Sequence, residues 1–157
     1  MTTTSSLTVT APARIGIAVR ADADAVWNAL TDGAVTPAYY YGFTAEIPQE
    51  AGQDYRYTAG GGDMITGRVL SVEPGRSLSM TFSGHWSPDV AALPESTVHF
   101  TLTEPPMPLP GVTVLTCVHE GLPEGATAGH LEAGWVTILS RLKTLLETGP
   151  PLAAAPQ

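Results

Sequence analysis

A chain of 157 residues fits one domain, long enough to bury a hydrophobic core without disulfide or metal staples. The formal net charge of −8, with only seven Lys and Arg, disfavours a phosphate backbone or an anionic membrane surface as a partner. The single cysteine, Cys117, rules out an internal disulfide framework and a cysteine-based metal cluster.

The N-terminal stretch "MTTTSSLTVTAPA" has neither a charged n-region nor an apolar h-region, and so predicts no signal peptide. No run approaches the roughly 20 apolar residues of a membrane span. Together these features predict a cytoplasmic protein. Residues 1–12 are rich in Thr and Ser and predict a flexible segment; 13–149 read as one domain and 150–157 as a disordered tail.

"ARIGIAVR" alternates, with Ile15, Ile17 and Val19 on one face, and predicts a half-buried strand. "ADADAVWNALTDG" switches to helical spacing through Ala23, Val26, Trp27 and Leu30, with Asp22 as N-cap and Asp24 suited to the helix dipole. Gly33 and Pro37 break that pattern, so "VTPAYYYG" is a loop or a second short helix. Strand candidates then follow one another. Phe43, Ala45 and Ile47 share a face in "YGFTAEIP", and Tyr55 and Tyr57 do so in "QDYRYTA". "DMITGRVLSVEPG" is a longer strand in which Gly67 suggests a bulge.

"RSLSMTFSG" sets Leu78, Met80 and Phe82 against serines and a threonine, and "STVHFTLTE" sets Val98, Phe100 and Leu102 against Thr97, His99, Thr101 and Thr103. Prolines make "PPMPLPG" a loop. "VTVLTCVHEG" is the last strand, and "LPEGATAG" reads as a flexible connection to the terminal helix. In that helix Leu131, Trp135, Ile138, Leu139, Leu142, Leu145 and Leu146 fall on one stripe of period 3.6. Gly149 suits the C′ position, and Pro150 and Pro151 cannot continue the helix. Consecutive strands joined by short turns and covered by a helix define an α+β fold with an antiparallel sheet.

This order resembles the activator-of-heat-shock-ATPase-like branch of the SRPBCC (START-like) superfamily. The resemblance rests on "VWNALTDG" at 26–33, "GRVLSVEPGRSLSMTF" at 67–82, "VHEGL" at 118–122 and "GWVTILSRLKTLLETG" at 134–149. It implies a helix-grip fold, a curved antiparallel sheet of about seven strands wrapped around the long C-terminal helix. One or two short helices follow the first strand. The resemblance also implies a cavity between sheet and helix, with Trp135, Ile138, Leu139, Leu142 and Leu146 facing the concave sheet. Gly134 would then allow a close backbone approach. "YYYG" at 39–42, with Tyr40, would sit at the cavity entrance, its tyrosines offering apolar contact and hydroxyl donors.

The inward strand positions give Tyr55, Tyr57, Met80, Phe82 and Phe100 as candidate ligand contacts, each also explicable as core. On the last strand Leu115, Cys117 and His119 share a face. Cys117 and His119 suggest a nucleophilic pair, but same-face neighbours lie roughly 6–7 Å apart at Cα. Burial of Cys117 as a small hydrophobe, with His119 at a cavity mouth, fits better. Trp86 continues the parity of Phe82 and points to the rim, with His85 outward. Arg68, in a chain short of cations, is a candidate clamp for an anionic or carbonyl-bearing ligand, provided it faces inward. His99 and His130 read as surface residues.

The histidines show no HxH, HxxxH or HExxH spacing, so no metal site is expected. "AGGGD" at 59–63 lacks the Lys and following helix of a phosphate loop, and no cofactor is expected. Three functions follow from the resemblance. The first is binding of a small, largely hydrophobic molecule. The second is a cyclase- or dehydratase-like cavity enzyme acting on a polyketide-like substrate, for which His119, Tyr57, Arg68 and Glu46 supply acid or base types. The third is activation of a chaperone ATPase, for which few basic residues are available as a docking surface. A homodimer is compatible with all three.

Overall fold

The computed structural model describes residues 12–107 and 109–148. The expected flexible segment before residue 12, the C′ role of Gly149 and the tail from Pro150 lie outside the described residues. Seven strands form one antiparallel sheet in the order β1-β7-β6-β5-β4-β3-β2. They are β1 (Ala13–Val19), β2 (Thr44–Glu46), β3 (Asp54–Ala59), β4 (Gly62–Glu73), β5 (Ser77–Gly84), β6 (Ser96–Thr103) and β7 (Thr113–Glu120). Helix α1 (Ala23–Thr31) and a 3-10 turn (Thr36–Ala38) follow β1, and the long helix α3 (Ala126–Thr148) closes the fold. This is the helix-grip arrangement.

The alternation that marks the strands decides which way they face. Leu78, Met80 and Phe82 of β5, Val98, Phe100 and Leu102 of β6, and Leu115 and Cys117 of β7 are all buried. Their register pairs place them side by side: Leu78 opposite Phe100, Met80 opposite Val98, and Phe100 opposite Cys117. Helix α3 lays Trp135, Ile138, Leu139 and Leu142 into the same core. Each large apolar side chain removed from water there contributes about 1.5–3 kcal/mol, so this stripe is the main attachment of the helix. Polar ties add direction at its C-terminal end. Lys143 Nζ donates to the Ala18 carbonyl at 2.7 Å, and the Arg20 backbone N–H donates to Glu147 Oε2 at 2.7 Å.

Three elements depart from the sequence reading. Helix α3 begins at Ala126, so the segment expected to be a flexible connection already supplies its first turn. A one-turn helix, α2 (Pro88–Ala91), forms where a loop was expected; Ser87 caps it by accepting from the Val90 N–H at 3.3 Å, and Pro88 opens it. Gly67 marks no bulge. It pairs in register with Tyr55, and the slip against β5 occurs three residues later, between Val69 and Ser71.

Gly67 is instead a point of close approach. A Cβ built there would lie 2.3 Å from the Thr81 carbonyl oxygen and 2.6 Å from Cε1 of Tyr55. The Tyr55 ring crosses the glycine, and its hydroxyl donates to that same carbonyl at 2.5 Å. The Arg68 N–H turns to Thr81 Oγ1 at 2.9 Å, so the Tyr55 phenol holds a place in the β4–β5 junction. Gly67→Ala is expected to lower the unfolding free energy by about 3 kcal/mol through overpacking. Tyr55→Phe, which only orphans the carbonyl, is expected to cost about 1–2 kcal/mol. Urea denaturation of both variants checks the size and the order of the two effects.

Candidate functional site

The stripe on α3 meets two different surroundings. Its C-terminal half, Leu139 and Leu142, is fully buried against the sheet. Its N-terminal half faces a groove of about 440 Å³. Leu131, Gly134, Trp135 and Ile138 form one wall of that groove, Tyr40, Tyr41 and Phe43 another, and Phe82, Trp86 and Val90 the third. Ser87, Asp89, Thr127 and His130 supply its polar groups. Gly134 makes no close backbone approach, contrary to the expectation. A Cβ there would meet only the Tyr41 hydroxyl, at 3.9 Å, so the missing side chain leaves open space in the wall.

The wall containing Tyr40 is held by its neighbours. Thr36 is buried, and its Oγ1 donates to the Phe43 carbonyl at 3.0 Å while accepting from the Ala45 N–H at 2.9 Å. Tyr39 Oη donates to the Ala29 carbonyl of α1 at 2.6 Å. Tyr40 then packs on Tyr57 and Trp135, with ring centroids 4.7 and 5.8 Å away. The Phe43 N–H closes a turn onto the Tyr40 carbonyl at 2.9 Å. Both central residues of that turn, Tyr41 (φ 52°) and Gly42 (φ 77°), are left-handed. Asn-Gly is the dipeptide such a turn prefers; a tyrosine there is strained.

The floor rests on a buried polar chain. The Trp135 indole N–H donates to His119 Nδ1 at 3.0 Å. Nδ1 therefore carries no proton, and Nε2–H donates to Ser96 Oγ at 2.8 Å, whose own hydroxyl turns to the Phe82 carbonyl at 3.4 Å. His119 is 1% exposed and lies behind the floor, where a place at the cavity mouth was expected. Burial lowers its pKa to about 4, and protonation at Nδ1 would set a donor against the indole donor.

The candidate residues thus separate into groups. Tyr40, Phe82, Trp86, Trp135 and Ile138 line the groove. Tyr57, Phe100 and His119 stand directly behind it, against Tyr40, Trp135 and Phe82. Met80, Cys117, Leu139 and Leu142 are buried in the core, and Tyr55 serves the β4–β5 junction. Both ring nitrogens of His119 are engaged away from Cys117, whose thiol is pushed up by burial, so the two do not form a nucleophilic pair. Arg68 faces outward, with Nε 3.8 Å from Asp54, because Ile65, Gly67 and Val69 take the inner face of β4.

Sequence reasoning missed Phe43 and Asp89 as groove residues and placed Tyr41 only within the 39–42 stretch; the three converge on the groove from separate segments. His99 lies on the outer face, between Ser79 Oγ (2.8 Å) and Glu120 Oε2 (2.6 Å). That trio resembles a nucleophile–base–acid relay. It sits on a flat strand surface whose backbone N–H groups are spent in the β5–β6 and β6–β7 ladders, leaving no oxyanion donors there.

Residues 20–147 match the family described as Activator of Hsp90 ATPase homolog 1-like protein. The chain belongs to this family. Among solved structures, the homologue-like fold recurs in DynU16, a putative protein in the dynemicin biosynthetic locus, at 31% identity and a TM-score of 0.70. That match covers 89% of this chain and 48% of DynU16, so this chain spans about half of that protein's length. MLL2253 from Mesorhizobium loti matches at 24% identity and a TM-score of 0.71, over 87% of this chain and 97% of its own. The Aha1 dimer from Colwellia psychrerythraea shares the fold at 17% identity and a TM-score of 0.69, over 89% and 98% of the respective chains. No curated sequence matches closely. Among the described residues, no helix is long and apolar enough to cross a membrane, and no group of three or more His, Cys, Asp or Glu is placed to hold a metal.

Two outcomes follow from this geometry. Tyr41→Asn is expected to raise the unfolding free energy by about 1 kcal/mol in denaturant titrations, since it relieves the left-handed strain. For His119, the unfolded imidazole titrates near 6.5 and the folded one at about 4. Between those values the unfolded chain takes up a proton that the folded chain refuses, so stability falls as the pH drops. The loss is about 3 kcal/mol by pH 4. A His119→Gln variant, able to keep both hydrogen bonds, is expected to lose that part of the acid sensitivity in pH-dependent melts.

Proposed function

We propose that this domain binds a small, largely hydrophobic molecule in the groove between the first half of α3, the end of β5 and the 40–43 turn. The observation that carries the reading is Gly134: α3 omits a side chain at the centre of an apolar wall, where the space beyond is open. A packed helix face would fill that position. The groove volume lies in the range of small-molecule sites, and aromatic walls with a few polar rim groups are their usual lining.

Binding is favoured over acid–base catalysis because the acid and base candidates of the sequence do not reach the groove, whose own titratable groups, Asp89 and His130, belong to its polar edge. His119, the histidine among the sequence candidates, lies behind the floor with both nitrogens engaged. Tyr40 lines the groove, but burial raises its pKa well above the ordinary phenol range, so it is no base at neutral pH. Arg68 and Glu46 belong to the outer, exposed side of the sheet.

Gly134→Leu separates groove from core. A leucine removes the glycine penalty of about 1 kcal/mol in a helix, so the melting temperature is expected to rise by about 2–4 °C. The same side chain occupies the groove. The neutral fluorescent probe N-phenyl-1-naphthylamine is expected to bind the wild-type protein and to lose at least tenfold in affinity for the variant. Equal binding by both proteins would place the probe elsewhere and remove the support for this reading.

A further inference from the structure

The charge pattern of the groove narrows what it can hold, on the assumption that it is a binding site. Six aromatic rings line it: Tyr40, Tyr41, Phe43, Phe82, Trp86 and Trp135. Phe43 and Phe82 flank Trp86, with centroids 6.2 and 6.1 Å from it, and Trp86 remains 38% exposed at the rim. Three residues along the chain, Asp89 of α2 brings a carboxylate to the same rim. It enters none of the ion pairs among the described residues. None of the seven Lys and Arg side chains lines the groove. Four of them are engaged elsewhere: Arg56 with Glu46 and Asp63, Arg68 with Asp54, Lys143 with Glu147, and Arg141 against the Ala38 carbonyl.

Aromatic faces carry negative electrostatic potential and attract cations. A carboxylate beside them adds to the same field, and a protein of net charge −8 offers nothing to reverse it. An anionic head group would find no cationic partner in this site. We infer that the occupant is an amphiphilic cation, with an apolar body inside the groove and an amine or quaternary ammonium at the Trp86–Asp89 rim. His130, on the α3 side of the rim, is the one imidazole among the lining residues.

The test is displacement of N-phenyl-1-naphthylamine by three ligands of equal chain length: decyltrimethylammonium, decanol and decanoate, all below their micellar concentrations. The cation is expected to displace the probe at concentrations at least tenfold lower than decanol, with decanoate weakest. Added salt should erode that advantage. In Asp89→Asn the ratio of cation to alcohol affinity is expected to fall several-fold. Decanol or decanoate displacing the probe as well as the cation would overturn the inference while leaving the binding function standing. Failure of the wild-type protein to bind the neutral probe at all would sink the binding function itself, and this inference with it.

Discussion

The hydrogen bond from the Trp135 indole to His119 Nδ1 fixes where the packed core ends and the groove begins. Trp135 is the last α3 residue of the stripe, read toward the N-terminus, that packs on both Tyr40 and Phe100. Its orientation depends on an acceptor within a buried, apolar surface, and His119 serves only in the one tautomer that Ser96 stabilises from the other side. A neutral imidazole with two partners is cheap to bury; an imidazolium in the same place is not. The floor of the groove is thus set by the protonation state of a residue that lies behind its lining.

The 40–43 segment depends on the same floor. Tyr40 reaches Trp135 edge-on, and Thr36 and Tyr39 anchor the chain before and after it to β2 and α1. With both flanks fixed, the chain has two residues in which to turn, and both adopt positive φ. The strain at Tyr41 follows from anchoring that is itself fully satisfied. Its ring is held half-exposed at the groove edge instead of folding into the core.

Much of the fold was legible in the sequence because period and parity are local signals. Ile15, Ile17 and Val19, or Leu78, Met80 and Phe82, declare a strand face on their own, and the α3 stripe declares a helix. The family resemblance supplied how they assemble. The site was legible only where it borrowed those patterns: Phe82, Trp86, Trp135 and Ile138 carry strand or helix parity into the groove. Tyr41 and Asp89 carry none, the parity of Phe43 with Ala45 and Ile47 does not point to the groove, and only the fold brings the three together. Parity misled where a second condition intervened. Gly67 read as a bulge because glycine weakens strands, yet its task is to let a tyrosine ring pass, and Arg68 faces outward because the register against β3 is regular from Ile65 to Arg68. Tyr55, alike in pattern to Tyr57, serves the sheet junction for the same reason.

The local costs of this protein converge on one place. A tyrosine held at φ 52° costs about 1 kcal/mol or more, and a glycine inside a helix about 1 kcal/mol. A tryptophan left 38% exposed forgoes part of the burial open to the largest apolar side chain. Against a total stability of about 5–15 kcal/mol, these are large concessions for a core that elsewhere buries Leu139 and Leu142 completely. A fold that needed only to be stable would place Asn at 41 and a larger residue at 134, both open to it at no structural expense. Tyr41, Gly134 and Trp86 border a single groove, so the concessions share one explanation: the groove is kept open at the expense of the fold that surrounds it.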